Sequence, residues 1–268
     1  MKVLDCFIFN DELEILDIRL NILNNYVDKF IIVESIINHQ GNYKKKHFNI
    51  NLFKKFEKKI KYITIEEIPK NFSAWQRENY QRNYISKGLE EFSPEDIVIV
   101  SDADEIPNLK NIDFTKLNNN YYTFEQDHFH YKLNLKKQTK WNGSKMCKIK
   151  NLKSPQWLRS LKMHKKYSRL RLDKYFSKNY VFDFKIIKNG GWHFGWLKTI
   201  ENMILKIKSF AHTEYNISLY KDENFIKECV KNYINFLDTK EKLERVEINE
   251  NFPEYIRNNK DKLKNWIA

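Results

Sequence analysis

Hydrophobic residues follow two alternating periods along the first hundred positions. Val3–Phe9 is a short, nearly continuous apolar run, the pattern of a strand buried on both faces. Asn10 and Asp11 follow as turn or cap residues. Leu13, Leu16, Leu20 and Leu23 then recur at helical spacing, with Glu12, Glu14 and Asp17 making an acidic start. Residues 30–33 predict a second strand, 51–59 a short basic helix, 61–65 a third strand, 74–87 a helix ending at Gly88, and 97–100 a fourth strand bracketed by Asp96 and Ser101. The sum is β-α-β-α-β-α-β, which implies an α/β fold with a mostly parallel sheet flanked by helices. Such sheets bind ligands outside the carboxyl ends of their strands, which directs attention to the positions after Phe9, Val33, Ile65 and Val100.

The second half is less regular. Residues 121–131 are strand-like and very aromatic, 132–178 are basic with no assignable element, 181–187 read as a strand, and Asn189-Gly190-Gly191 as a turn. Ile200, Ile204, Ile207 and Ala211 form an apolar stripe on one helix. Phe225, Ile226, Val230, Tyr233, Ile234 and Leu237 form another. With no internal repeat and no linker, a single domain over 1–268 with a helical carboxyl-terminal part is expected.

Composition narrows the class. A chain of 268 residues, 41% hydrophobic and 15% aromatic, can bury a sizeable core, which excludes wholesale disorder. No apolar run approaches the ~18–20 residues of a membrane span. Cys6, Cys147 and Cys229 stand far apart, supporting neither a disulfide framework nor a zinc knuckle. Met1 and Lys2 lead directly into strand-like sequence and Asp5 interrupts any signal-peptide core, so a cytoplasmic location is expected. The formal net charge of +13 attracts anions such as nucleic acid, acidic membrane, sugar nucleotides or acidic glycans. In a chain this rich in Lys, Asn and Ile the charge permits such partners without selecting one.

The sharpest local feature is Ser101-Asp102-Ala103-Asp104-Glu105, directly after the fourth strand. Three carboxylates in four residues repel one another unless a cation neutralises them. Asp102-Ala103-Asp104 is a D-x-D whose hard oxygens suit Mn²⁺ or Mg²⁺, ions that also bridge phosphate oxygens. Glu34 ends the second strand at the same sheet edge, where it would accept hydrogen bonds from a nucleotide base or ribose. Arg77 and Gln81 share a helix face and could both serve a diphosphate or base, whereas Glu78 and Arg82 read as a helix-surface ion pair. In the stretch 190–196, glycines flank Trp192, His193 and Trp196. Glycine permits close approach of a ligand, Trp stacks on sugar rings, and His193 offers a nitrogen to a metal. Lys206, Lys208 and His212 on the next helix are placed to neutralise a departing diphosphate.

Taken together, these motifs resemble glycosyltransferase family 17, the β-1,4-mannosyl-glycoprotein N-acetylglucosaminyltransferase family. The resemblance is carried, in order, by the stretches 6–20, 30–35, 77–82, 101–107, 191–194 and 206–212, and covers roughly residues 3 to 215. It departs at Gly195, where the family pattern usually has Ser or Cys. The resemblance implies a GT-A-like fold, a UDP-sugar donor (UDP-GlcNAc by family habit), a divalent metal, inversion at the anomeric carbon and a glycan or glycoprotein acceptor. Carried over, Asp104 binds the metal, Asp102 the metal or ribose, and His193 becomes a site residue. Residues 1–120 would form the nucleotide-sugar half, 121–215 the acceptor and metal half, and 216–268 the helical end.

An inverting transferase also needs a base on the acceptor hydroxyl. Asp127, beside the aromatic run 129–131, is favoured, with Glu214, Glu125 and Asp183 as alternatives. A metal-dependent nuclease or phosphohydrolase would also use Asp102 and Asp104, but such enzymes usually draw acids from several segments. A polyanion-binding module would use the charge alone. The transferase reading expects no nucleic-acid partner.

Overall fold

The computed structural model describes residues 1–161 and 184–268. Its elements run β1 (Val3–Phe9), α1 (Leu13–Leu23), β2 (Lys29–Ser35), β3 (Ile60–Ile65), α2 (Ala74–Asn83), α3 (Ser86–Leu89), β4 (Ile97–Asp102), β5 (Glu105–Pro107), β6 (Tyr121–His130), β7 (Leu135–Lys136), β8 (Trp141–Lys148) and α4 (Pro155–Ser160). After the undescribed stretch come β9 (Phe184–Ile187), β10 (Gly191–Gly195), α5 (Ile200–Ser209), α6 (Glu223–Lys231), β11 (Ile234–Asn235), β12 (Asp238–Lys242), β13 (Glu244–Arg245) and α7 (Glu254–Asn258). The first residues of the strand expected over 181–187, and the candidate base Asp183, lie outside the described residues.

One mixed sheet organises the chain, in the order β13-β7-β6-β8-β4-β1-β2-β3. Its heart is the parallel set predicted from the first hundred residues, with β1 paired to both β2 and β4, and β2 to β3. Strand alternation sends successive residues to opposite faces. Phe7, Phe30, Ile32 and Ile99 pack on one face with Leu16, Leu20 and Leu23 of α1 and with Ile256 and Leu263 from the carboxyl-terminal segment. Leu4, Cys6, Ile31, Val98 and Val100 pack on the other with Ile85, Leu89 and Leu158. Each fully buried Leu or Ile contributes about 1.5–3 kcal/mol relative to an exposed one. A third cluster, including Tyr131, Met203, Ile207, Ile226 and Phe236, fastens α5 and α6 to the end of β6.

Beyond β4 the sheet departs from simple alternation. β8 enters antiparallel between β4 and β6. It comes from the basic stretch that offered no signal, because both its faces are buried and each carries a polar residue, Ser144 on one and Lys145 on the other. The Lys145 ammonium donates to the carbonyl oxygens of Arg159 and Leu161 at the end of α4. Burial pushes its pKa down to about 7.

Three predicted elements differ in form. The basic helix is a 3₁₀ segment, Ile50–Lys59, kinked at Phe53. The helix expected over 74–87 breaks into α2 and α3, and Gly88 lies inside α3 instead of terminating it. A Cβ at Gly88 would sit 2.5 Å from Cγ2 of Ile31, so glycine there permits close packing of α3 on β2. The last apolar stripe divides as well. α6 stops at Lys231, and Tyr233, at φ 56°, turns the chain into the hairpin β11–β12. The carboxyl-terminal part is therefore mixed, with α6 and α7 beside β11–β13. No helix among the described residues is long and apolar enough to cross a membrane.

Gly191 lies at the seam that completes the site. It has φ +134°, and an added Cβ would collide with the carbonyl of Ile106 and approach Pro107 Cα to 2.9 Å. Gly191→Ala is expected to lower stability by at least the 1–3 kcal/mol typical of such backbone strain. Gly195→Ala, where the nearest atom would be at 3.5 Å, should be close to neutral. Urea denaturation of the two variants measures the contrast.

Candidate functional site

The acid-rich loop joins the end of β4 to β5 and is held from beneath by α1. Arg19 is fully buried. Its Nε and one terminal nitrogen donate to Asp5 on β1 at 2.8 and 2.6 Å. Its other terminal nitrogen donates to the carbonyls of Asp102, Ala103 and Glu105 at 3.1, 3.2 and 2.6 Å. A guanidinium thus sets the backbone of the loop whose carboxylates form the site. The loop is closed by β10, which runs antiparallel to β5 and parallel to β6. His193 lies opposite both Glu105 and His128, and the Phe194 amide donates to the Asp104 carbonyl at 2.8 Å.

The three acids of the loop have different environments. Glu105 is fully buried. It accepts from Trp141 Nε1 at 2.7 Å, from the Asp102 amide at 3.0 Å and from both terminal nitrogens of Arg159 at 2.8 and 2.9 Å. Asp102 divides its oxygens between Arg82 at 2.9 Å and Arg159 at 2.8 Å. Burial alone would raise its pKa, but the two guanidiniums hold it at about 2. Asp104 instead faces His193 Nε2 at 3.6 Å and Lys206 Nζ at 3.9 Å, both beyond ordinary hydrogen-bond length. Burial works against its charge, yet His193 and Lys206 keep its carboxyl well below the usual range. Lys206 answers in kind: burial opposes its charge, and Asp104 with Glu12 holds its pKa raised.

These groups line a cavity of about 520 Å³. Phe9, Asn10, Asn38 and His39 line it where β1 and β2 end. Asp102, Asp104, His193 and Lys206 follow, and His128, His130, Trp141 and Trp196 line the part over β6, β8 and β10. The hairpin β11–β12 contributes Asn235, Asp238 and Glu241.

Gln81 also lines the cavity, but its side chain is occupied within the protein. It donates to the carbonyls of Phe9 and Val33 at 3.3 and 3.0 Å and meets His39 Nε2 at 3.1 Å, tying the ends of β1 and β2 together. Four other predicted site residues are not brought to this cavity. Glu34 is fully buried and accepts from Lys44, the His47 and Phe48 amides, and the Tyr62 hydroxyl at 2.7, 2.8, 3.1 and 2.8 Å, so its acceptor positions serve the fold. Arg77 donates to the carbonyls of His39 and Lys70 at 3.2 and 3.1 Å. Asp127 pairs with Lys136 and Lys140 at 2.9 and 2.5 Å, because strand alternation turns it away from the face of His128 and His130. Glu214 is exposed and pairs with His212 Nδ1 at 2.6 Å. Glu125, the further alternative, pairs with Lys188 at 2.7 Å.

The residues that were not anticipated are Arg19, Arg159, His128 and His130, together with the role of Arg82, whose ion pair with Glu78 is buried and extends to Asp102. Arg19 and Asp5 carried a readable signal: a lone base on the leucine stripe of α1 and a lone acid inside an apolar strand. Arg159 carried none, since only folding brings α4 beneath the loop.

The chain is similar to known proteins in sequence and in fold. The sequence profile of glycosyltransferase family 17 matches residues 1–240. The chain is similar to beta-1,4-mannosyl-glycoprotein 4-beta-N-acetylglucosaminyltransferase of Rattus norvegicus (22% identity) and of Homo sapiens (21%), over 98% of its own length and 54% of theirs. It thus spans about half the length of these curated relatives. Among solved structures it resembles, at a TM-score of 0.35 and 12% identity, a glycosyltransferase involved in glycosylation of the major capsid of PBCV-1, over 70% of this chain and 82% of that one. It also resembles HddC from Yersinia pseudotuberculosis at a TM-score of 0.34 and 14% identity, over 70% and 90% of the two chains. By the extent of the profile match, which covers both the acid loop and His193, the chain belongs to glycosyltransferase family 17.

Proposed function

We propose that this chain transfers a sugar, N-acetylglucosamine by analogy with its named relatives, from a UDP-sugar to a hydroxyl of a glycan acceptor with inversion. The observation that carries the reading is Asp104: a half-buried, ionised carboxylate at the tip of a parallel sheet, lining the cavity with His193 and Lys206 beside it. The nucleoside would occupy the end lined by Phe9, Asn10, Asn38 and His39, with the pyrophosphate at Asp104 and Lys206.

The residues present fit a divalent ion. Asp104 and His193 offer an oxygen and a nitrogen 3.6 Å apart, within the ~4.2 Å spanned by two bonds of about 2.1 Å. Among the described residues no third His, Cys, Asp or Glu completes a cage. That suits Mn²⁺ or Mg²⁺, which commonly take one or two protein ligands and fill the rest with water and phosphate. Asp102, held by Arg82 and Arg159, would orient those groups instead of ligating. When bound, the ion would supply charge to the leaving diphosphate. Lys206, charged and half-buried, would stabilise the same oxygens from the protein side.

In the reaction the acceptor oxygen bonds to the anomeric carbon as the bond from that carbon to the diphosphate breaks, and UDP leaves with the electron pair. The acceptor proton passes to a carboxylate. Of the acids lining the cavity outside the loop, Glu12 accepts the Asn10 and Asp11 amides, Glu78 pairs with Arg82, and Glu241 accepts from Lys137 and Asn235. Asp238 is the least committed, with a bond to the Lys240 amide at 3.2 Å, and is assigned as the base in place of Asp127 or Glu214.

Thermal melting in the presence of nucleotides and nucleotide sugars, with and without MnCl₂, tests the reading. A ligand at 100 times its Kd adds about 2.7 kcal/mol, or roughly 5–10 °C for a chain of this size. UDP and a UDP-sugar should give such shifts only with Mn²⁺. No shift with any nucleotide, or a shift with oligonucleotides alone, would overturn it.

A further inference from the structure

We infer that the floor of the cavity formed by His128 and His130, with Trp141 and Trp196 beside it, is a subsite for an uncharged pyranose ring. The inference rests on the glycosyl-transfer reading for its place in the reaction, but its chemistry stands on the floor itself. His130 lines the cavity with 3% of its surface exposed, and neither of its ring nitrogens has a hydrogen-bond partner among the described residues. His128 lines it too, and its Nδ1 is likewise unpartnered. Buried polar atoms are nearly always paired, so unpaired ones on residues that line a cavity point to a ligand that pairs them.

The protonation state selects the ligand class. Burial, followed by the field of Lys137, holds His130 well below the ordinary histidine range. Its ring is therefore neutral and carries one donor and one acceptor. A hydroxyl matches that pattern because it both donates and accepts, whereas a phosphate or carboxylate only accepts. The nearby Lys137 ammonium is taken up by Glu241 at 2.7 Å, and the Lys206 ammonium, 5.1 Å from the Trp196 ring centroid, is the group assigned above to the pyrophosphate. A metal fits poorly. His128 and His193 are stacked with ring centroids 4.5 Å apart at 21°, and His130 is 6.5 Å from His128 at 62°, so the rings do not aim at one point.

The surroundings complete a sugar site. Trp141 lies 5.3 Å from His128 and Trp196 6.3 Å from His130, centroid to centroid, and both line the cavity, as aromatic rings that take the C–H side of a sugar do. The floor is also rigidly built. Tyr131 and Trp196 follow the paired residues His130 and Gly195, and both have left-handed backbones, at φ 66° and 59°. The Tyr131 hydroxyl donates to the Ile234 carbonyl at 2.9 Å and accepts from the Phe236 amide at 2.8 Å, pinning the β11–β12 hairpin against the floor. Backbone strain held at the cavity-lining Trp196 marks a built site.

The test is calorimetric titration of the full chain with UDP, UDP-N-acetylglucosamine and methyl β-D-mannopyranoside in the presence of MnCl₂, for the wild type, His130→Phe and Trp196→Phe. Two results support the subsite. If it holds the transferred sugar, the wild type binds the nucleotide sugar at least about tenfold tighter than UDP, and either variant erases that ratio while leaving UDP affinity unchanged. If it holds the acceptor sugar, the glycoside binds the wild type and either variant weakens it by at least about tenfold. Unchanged ratios and glycoside affinities in variants that melt within a few degrees of wild type overturn it, and Trp196→Phe decides if His130→Phe does not fold. Glycoside binding that depends on His130 in a chain indifferent to UDP would support the subsite and overturn the donor reading. UDP binding with no effect of either variant would do the reverse.

Discussion

Asp104→Asn should lower glycosyl transfer by roughly 10²–10³-fold, the usual cost of removing one charge-stabilising group from a preorganised site. The substitution keeps the shape of the side chain and removes its charge. The loop itself should hold, because it is fixed by main-chain contacts that the variant retains, namely the Asp104 carbonyl accepting from Phe194 and the carbonyls of Asp102, Ala103 and Glu105 accepting from Arg19. The expected signature is thus a large kinetic loss with little change in melting temperature, and loss of the Mn²⁺ dependence of UDP binding. Glu214→Ala is the natural control, since Glu214 is exposed and does not itself line the cavity. An Asp104→Asn enzyme with near-normal turnover would remove the basis for the metal and pyrophosphate assignment. The sign of the pH effect follows from the same carboxyl. Its folded pKa is depressed, so the charge is complete above the ordinary range near pH 4 and is lost only as pH falls well below it. Loss of activity between pH 5 and 7 would therefore have to come from another group.

Arg19→Met is expected to destabilise the protein by about 3–5 kcal/mol, the cost of stranding one partner of a buried ion pair. Asp5 would remain fully buried with no counter-charge, and the loop carbonyls would lose their donor. The double variant Arg19→Met/Asp5→Leu should recover much of the loss, because two apolar side chains of similar volume remove both buried charges. It should not recover activity, since nothing then holds the backbone of the acid loop. Urea denaturation together with a transfer assay separates the two effects. A single variant that loses less than about 1 kcal/mol would show that the pair is dispensable.

Much of the candidate site was legible before folding, but unevenly. Asp102, Asp104 and His193 stood out because their residue types are rare in such contexts and because the strand order says which edge of the sheet binds ligands. Their division of labour was not legible. Asp102 and Asp104 both line the cavity, but the oxygens of Asp102 are occupied by Arg82 and Arg159 whereas Asp104 meets His193 and Lys206 only beyond hydrogen-bond length, a difference to which α4, arriving from more than fifty residues downstream, contributes Arg159. Glu34 sits at the expected strand end, yet it is consumed by the loop that carries His47 and Phe48. Asp127 was one residue out of phase: on β6 its neighbours His128 and His130 face the cavity, and a two-residue period cannot be phased until the strand's partners are known.

By itself the sequence determined the parallel heart of the sheet, the helix α1 packed upon it, and the acidic tip of β4. Those features depend on interactions local in the chain or on apolar periodicity, which the residues carry with them. Tertiary structure alone decided which carboxylate is available, where the unpaired histidines gather, and how the hairpin β11–β12 closes the far end of the cavity. Each of these is a long-range pairing of polar groups, and polar pairing leaves no periodic trace along the chain.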